Sequence, residues 1–140
     1  MSNVDLYNKR ILITGAAGFI GSSLVKRLYD DVKDVVVIGI DNMNDYYDVR
    51  LKESRLAELN TYPSFVFVRG SISDKELVQH VFDTYRPQIV VNLAAQAGVR
   101  YSIINPDAYV ESNLIGFYNI LEACRHADIP VEHFVYASSS

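Results

Sequence analysis

Three glycines near the N-terminus have a spacing that binds phosphate groups. Gly15, Gly18 and Gly21 follow the apolar run Ile11–Thr14 in the order G-x-x-G-x-x-G. Gly15 permits a tight turn, while Gly18 lets the backbone approach a pyrophosphate and Gly21 lets a helix pack on the strand. A helix that begins at such a turn presents free N–H groups to the phosphates. The expected cofactor-binding residues of this turn are Gly15, Ala17, Gly18, Phe19, Ile20 and Gly21.

An acidic residue stands where it selects between dinucleotides. Asp41 ends the next apolar run, twenty residues after Gly21. A carboxylate at this point accepts hydrogen bonds from the adenosine ribose and repels a 2′-phosphate. No Arg or Lys follows Asp41 immediately, so NAD is favoured over NADP. The alternative without a ligand is a glycine turn that only connects a strand to a helix, with Asp41 as a solvated strand end.

The hydrophobic pattern predicts the framework that positions these residues. Short apolar runs begin at Ile11, Val35, Phe65, Ile89 and Phe134. They are rich in β-branched and aromatic residues and do not alternate with polar ones, which is typical of strands buried on both faces of a parallel sheet. Helical segments lie between them. The order β-α-β-α-β-α-β-α-β predicts a doubly wound α/β fold.

Local signals indicate where the helices begin and end. Ser73 and Glu76 fit a capping box at the start of the third helix, and Pro87 ends it. A second helix is predicted over residues 48–60, and the longest helix begins near Pro106. The predicted apolar face of that longest helix consists of Val110, Leu114, Phe117, Leu121 and Cys124.

Composition and charge restrict the class of protein. The 140 residues are 49% hydrophobic and 21% charged, as in a single globular domain. One cysteine excludes a disulfide scaffold, and the net charge of −4 argues against nucleic-acid binding. No apolar stretch reaches the ~20 residues that span a bilayer, and the three histidines lack metal-ligand spacing. We therefore expect a cytoplasmic protein without a metal site.

The glycine turn and two further strings resemble one enzyme family. Residues 14–21 read TGAAGFIG and match the TGxxGFIG turn of the extended short-chain dehydrogenases/reductases. Within that family, the strings DNMNDYYD (41–48) and NLAAQAGVRY (92–101) are most similar to nucleotide-sugar 4-epimerases acting on UDP-glucuronate. The resemblance covers nearly the whole chain. It implies a Rossmann-like NAD-binding domain over residues 1–140, with strand order 3-2-1-4-5 and without the C-terminal substrate-binding part of the family fold.

The resemblance also implies roles for individual residues. Ser139, with Ser140 beside it, matches the catalytic serine or threonine at the end of strand five. The family sequence Gly-Asp-Ile after strand three is here Gly-Ser-Ile at 70–72, which weakens the adenine contact. Arg100 and Tyr101, in the loop after strand four, are expected to bind substrate, unless Arg100 is only a solvated loop residue. The implied cofactor contacts beyond the glycine turn are Asp41, Asn42, Asn44, Ser71, Ile72, Leu93, Ala94, Ala95, Gln96 and Asn113.

The family's catalytic Tyr-x-x-x-Lys pair falls beyond Ser140. The one such spacing present, Tyr29 to Lys33, ends the first helix and is interpreted as a coincidence. We expect a chain that binds NAD without epimerase activity. Its parent enzyme would oxidise C4 of a UDP-sugar transiently and form a homodimer through the long helix near 107–127. The alternatives are a 4,6-dehydratase or decarboxylase of the same family, a non-catalytic NAD-binding or sensing module, and an interaction protein with a vestigial glycine turn.

Overall fold

Parallel strands in one sheet form the centre of the protein. The computed structural model describes residues 6–43, 49–94, 107 and 114–136. In these residues the strand order is β3-β2-β1-β4-β5, and every neighbouring pair is parallel. The predicted doubly wound sheet and its order 3-2-1-4-5 are confirmed. The strands are β1 (Arg10–Thr14), β2 (Val36–Asp41), β3 (Val66–Arg69), β4 (Ile89–Asn92) and β5 (His133–Tyr136).

Helices connect successive strands and cover both faces of the sheet. The helices are α1 (Phe19–Asp31), α2 (Val49–Leu59), α3 (Lys75–Tyr85) and α4 (Gly116–Arg125). The predicted start of α1 and the predicted second helix over residues 48–60 agree with these bounds. Over the residues described, no helix combines the length and the apolar character needed to cross a membrane.

Alternate residues of β1 point into two separate hydrophobic clusters. Ile11 and Ile13 pack with Val25 of α1 and Leu59 of α2 on one face. Leu12 belongs to the cluster on the other face, which includes residues of α3 and α4. Each fully buried aliphatic side chain contributes about 1.5–3 kcal/mol relative to exposure. Burial on both faces explains why the strand sequences are continuously apolar.

The capping box predicted for α3 is wrong by one residue. The N-cap is Asp74, whose carboxylate accepts a hydrogen bond from the Leu77 N–H at 3.2 Å. The Ser73 hydroxyl lies instead 2.7 Å from the Ser71 hydroxyl, in the loop that precedes the helix. The predicted end is correct, because α3 stops at Tyr85, before Pro87.

The predicted apolar face of the long helix is also wrong in part. Leu114 is 65% exposed and Leu121 is 41% exposed, while Val110 lies outside the described residues. Phe117 is partly buried and contacts the rings of Phe134 and Tyr136 in β5. The residues of α4 that are buried are Gly116, Asn119, Ile120 and Ala123. Small residues let α4 approach the sheet closely, and this leaves the larger apolar side chains outward.

The single cysteine is held as an unreactive thiol. Cys124 packs against the second hydrophobic cluster, and burial raises the pKa of its thiol from 9.0 to about 11. We expect alkylation by iodoacetamide near pH 8 to be about 100-fold slower in the folded protein than in urea, because the thiolate is the nucleophile. The free energy of unfolding falls as pH rises from about 9 to 11, since the unfolded chain loses this proton first. Equal alkylation rates in both states would contradict the packing of Cys124 against this cluster.

Candidate functional site

The glycine turn lies at the carboxyl end of β1, between its neighbours β2 and β4. Gly15 has φ +74°, and its N–H donates to the Ile40 carbonyl at 2.7 Å. A Cβ at Gly15 would lie 2.9 Å from the Leu93 carbonyl carbon, and one at Gly21 would lie 2.1 Å from the Gly15 oxygen. The packing of the chain itself therefore requires glycine at both positions.

Gly18 is less crowded than Gly15 and Gly21. Among the described residues, a Cβ there would meet the Gly15 oxygen alone, at 3.3 Å, a tight contact that a shift of a few tenths of an ångström relieves. Gly18 is the N-cap of α1, and no side chain caps the first turn. The N–H groups that begin a helix need acceptors, and a phosphate is a suitable one. The absent Cβ and the uncapped N-terminus together fit a pyrophosphate. Phe19 and Ile20, which follow, are 72% and 67% exposed.

Asp41 is buried at the end of β2 and is not a solvated strand end. Its side chain is 3% exposed. One carboxylate oxygen accepts from the Ala17 N–H at 3.0 Å, and the other accepts from the Met43 N–H at 2.8 Å and from Lys52 Nζ at 2.9 Å. Asp41 thus connects β2 to the glycine turn and to α2.

The Lys52 contact was missed by sequence reasoning. Lys52 lies in α2, seven residues before the buried Leu59, and so on the same side of that helix. That spacing was a signal that the lysine faces the protein. Three residues further along α2, Arg55 contacts the Ala17 carbonyl at 3.4 Å and lies 5.8 Å from the centre of the Phe19 ring.

Thr14 positions the segment that follows β4. Its hydroxyl oxygen accepts from the N–H groups of Leu93 and Ala94, each at 3.0 Å, and donates to the Asn92 carboxamide. Thr14 is fully buried. Leu93 and Ala94, two predicted cofactor contacts, are thereby brought against Gly15. The roles of Thr14 and Asn92 in this arrangement were not anticipated from the sequence.

The loop after β3 is held from α4. The buried Asn119 side chain donates to the Ile72 carbonyl at 2.9 Å. The Ser71 hydroxyl accepts from the Ser73 N–H at 3.1 Å, so it is used within the loop. The resemblance implies a cofactor contact for Asn113, which lies outside the described part. Asn119 was not anticipated from the sequence, and its burial distinguishes it only once the helix is placed.

The described candidate site residues converge at the point where the strand order reverses. The chain passes from β1 outward to β2 and β3, and then returns to β4 on the other side of β1. Ligands of open parallel sheets bind in the crevice at the carboxyl ends of the strands at this reversal. Gly15, Asp41 and Leu93 all lie at these carboxyl ends.

Comparison with models of known protein families shows to which family this chain belongs. The model of the family described as GDP-mannose 4,6 dehydratase matches residues 12–140. The chain belongs to this family. The resemblance indicated by the TGAAGFIG turn and the two strings is confirmed.

Two relatives match most of this chain but a smaller part of their own length. CapI of Staphylococcus aureus is 50% identical over 131 residues, which are 94% of this chain and 38% of that protein. UDP-glucuronate 4-epimerase 2 of Arabidopsis thaliana is 47% identical over 133 residues, 93% of this chain and 29% of the relative. The chain therefore spans well under half the length of these relatives.

A solved structure has the same fold. The UDP-glucuronic acid 4-epimerase of Bacillus cereus, in complex with UDP-glucuronic acid and NAD, is 33% identical with a TM-score of 0.83. The match covers 94% of this chain and 40% of that one.

Several predicted site residues are not part of the described structure. Their roles as catalytic, cofactor-binding or substrate-binding residues stay predictions. Among the residues described, no group of His, Cys, Asp and Glu side chains could hold a metal ion. The predicted site residues that lie outside the described ranges are Asn44, Ala95, Gln96, Arg100, Tyr101, Asn113, Ser139 and Ser140.

Proposed function

We propose that this chain is the NAD-binding portion of a UDP-glucuronate 4-epimerase-like enzyme. The observation that carries the proposal is the start of α1, where glycine stands at the N-cap and no described side chain caps the helix. The Bacillus cereus structure, which contains NAD and UDP-glucuronic acid, supports the same assignment.

The residues of this chain have separable roles toward the dinucleotide. The N–H groups at the start of α1, near Phe19 and Ile20, bind the diphosphate and are assisted by the positive end of the helix dipole. Asp41 lies at the ribose end, and Leu93 and Ala94 line the segment beside the glycine turn. When bound, NAD supplies a hydride acceptor for transient oxidation at C4 of the sugar.

Substrate chemistry is assigned to residues at the end of the chain and after β4. Ser139, or its neighbour Ser140, donates a hydrogen bond to the sugar oxygen as its charge changes. Arg100 and Tyr101 bind the UDP-sugar. Tyr29 is unsuited to act as a base, because its hydroxyl accepts from the Val37 N–H and its ring stacks on Tyr62 at 4.5 Å. We therefore propose that the 140-residue chain alone does not turn over substrate.

Charge and exposure support two further parts of the proposal. The net charge of −4 supports a protein that does not bind nucleic acid, and the single cysteine is compatible with the reducing cytoplasm that we propose as its location. The outward apolar residues Leu114, Ile115 and Tyr118 support a homodimer through the helix near 107–127. Light scattering of the purified chain tests the dimer, and a monomer at high concentration contradicts it.

The Gly18→Ala variant tests the NAD site. We expect the wild-type chain to bind NAD in calorimetry and Gly18→Ala to bind it about tenfold or more weakly, because the new methyl group occupies space that the pyrophosphate needs. Thermal stability should fall only slightly, because a shift of a few tenths of an ångström relieves the 3.3 Å contact between the new methyl group and the Gly15 oxygen. The matched control is Ser23→Ala, one turn further along α1 at an exposed position. A folded wild-type chain that binds no NAD, or a Gly18→Ala variant that binds it equally, contradicts the proposal.

A 4,6-dehydratase is the second candidate, and the description of the matching family favours it. The two activities differ in their products. An epimerase returns a sugar with inverted C4, whereas a dehydratase releases water and leaves a 4-keto-6-deoxy sugar. Analysis of the product that the full-length parent enzyme forms from UDP-glucuronate and from GDP-mannose distinguishes them.

A further inference from the structure

Asp41, the residue whose carboxylate is expected to hold the ribose, already accepts hydrogen bonds from other groups of the protein. A carboxylate offers about four acceptor positions, and Asp41 uses three of them on Ala17, Met43 and Lys52. A ribose diol that binds through both hydroxyls needs two. The surroundings of Asp41 therefore decide how the ribose is recognised.

The contact from Lys52 is a buried ion pair and not a surface one. The side chains of Lys52 and Asp41 are 9% and 3% exposed. Burying two charges carries a desolvation penalty, and an apolar pair of similar volume is often as stable. A buried pair at the edge of a ligand crevice is thus a candidate for a role in binding.

The charge at this edge differs from what Asp41 alone suggests. Lys52 offsets the charge of the carboxylate, and its ammonium has three donors, of which one is used on Asp41. Arg55, one turn further along α2, lies beside the Ala17 carbonyl. Lys52 and Asp41 together form a pair without net charge, so a 2′-phosphate would meet no net repulsion from this pair.

We propose that Lys52 is a specificity-determining residue, whose ammonium offsets Asp41 and lets the site accept a dinucleotide with a 2′-phosphate as well as NAD. The inference rests on the proposed NAD site and extends it to a second cofactor class. Asp41 without Lys52 would repel the 2′-phosphate, as a lone carboxylate does at this position.

The ratio of the dissociation constants of NADP and NAD tests this role. Calorimetry of the 140-residue chain with each dinucleotide gives the ratio for wild type, Lys52→Met and Lys52→Arg. We expect Lys52→Met to raise the ratio at least tenfold and Lys52→Arg to stay within about threefold of wild type, because charge is kept. The control Lys33→Met removes an exposed lysine beyond the opposite end of α1 and should leave the ratio unchanged. Partial unfolding alters both constants alike, so a merely structural role does not move the ratio.

Each of the following results would contradict the role proposed for Lys52. An unchanged ratio in Lys52→Met, or an equal rise in Lys52→Arg, removes the role of the charge. A wild-type chain that binds NAD but not NADP also refutes it, while leaving the NAD site intact. A folded chain that binds neither refutes the NAD site itself. Lys52→Gln repeats the test if Lys52→Met does not fold.

Discussion

Replacing Gly21 by alanine is expected to destabilise the protein by about 3–5 kcal/mol, a large share of the ~5–15 kcal/mol that stabilises a typical domain. The new Cβ would lie 2.1 Å from the Gly15 oxygen and 3.0 Å from the Ala16 Cα. These are backbone atoms of the turn and cannot rotate away. Helix α1 must therefore move from β1, which loosens the packing of Val25 and Leu28 in the first hydrophobic cluster.

Urea denaturation followed by circular dichroism measures this effect. Gly18→Ala is the matched control, because it adds the same methyl group to the same turn with its nearest contact at 3.3 Å. We expect the control to lose about 1 kcal/mol or less, which is the typical cost of a single substitution. Equal denaturation midpoints for Gly21→Ala and wild type would show that the turn is not packed as described.

Thr14→Val is expected to cost about 2–4 kcal/mol, since it keeps the shape of the side chain and removes a buried hydroxyl. The Ala94 N–H, at 3.0 Å, loses its acceptor, and the Asn92 carboxamide loses a donor. The Leu93 N–H retains a bond to the Thr14 backbone carbonyl at 3.2 Å. The loss should be greatest at the carboxyl ends of β1 and β4.

Thr14→Ser supplies the control, because it keeps the hydroxyl and removes only a methyl group. We expect it to cost about 1.5 kcal/mol or less. Hydrogen exchange at the Ala94 amide gives a local readout, which should be faster in Thr14→Val and nearly unchanged in Thr14→Ser. If valine proves as stable as serine, the hydroxyl does not hold the segment after β4.

Local patterns in the sequence were sufficient to predict most of the framework. The continuous apolar runs predicted parallel strands buried on both faces, and the glycine spacing predicted the turn at the end of β1. These features depend on residues close together in the chain. Even so, local signals misplaced the N-cap of α3, because Ser73 and Asp74 are both good capping residues and the loop contacts of Ser73 decide between them.

The apolar face of α4 shows a second limit. Leu114 and Leu121 have helical spacing, and so do Gly116, Ile120 and Ala123. Hydrophobic periodicity favoured the set with the larger side chains. The sheet and α3 require close approach, and only the set with small residues permits it.

The amino-acid sequence by itself determined the parallel α/β framework, the glycine turn and the family, because these depend on short-range spacing and on long strings of matching residues. The tertiary structure alone decided the partners of the site residues. Lys52 meets Asp41 across 11 residues, Asn119 meets Ile72 across 47, and Thr14 meets Ala94 across 80. Such contacts require strands and helices to be brought side by side, and no local pattern specifies which polar groups then lie within hydrogen-bond distance.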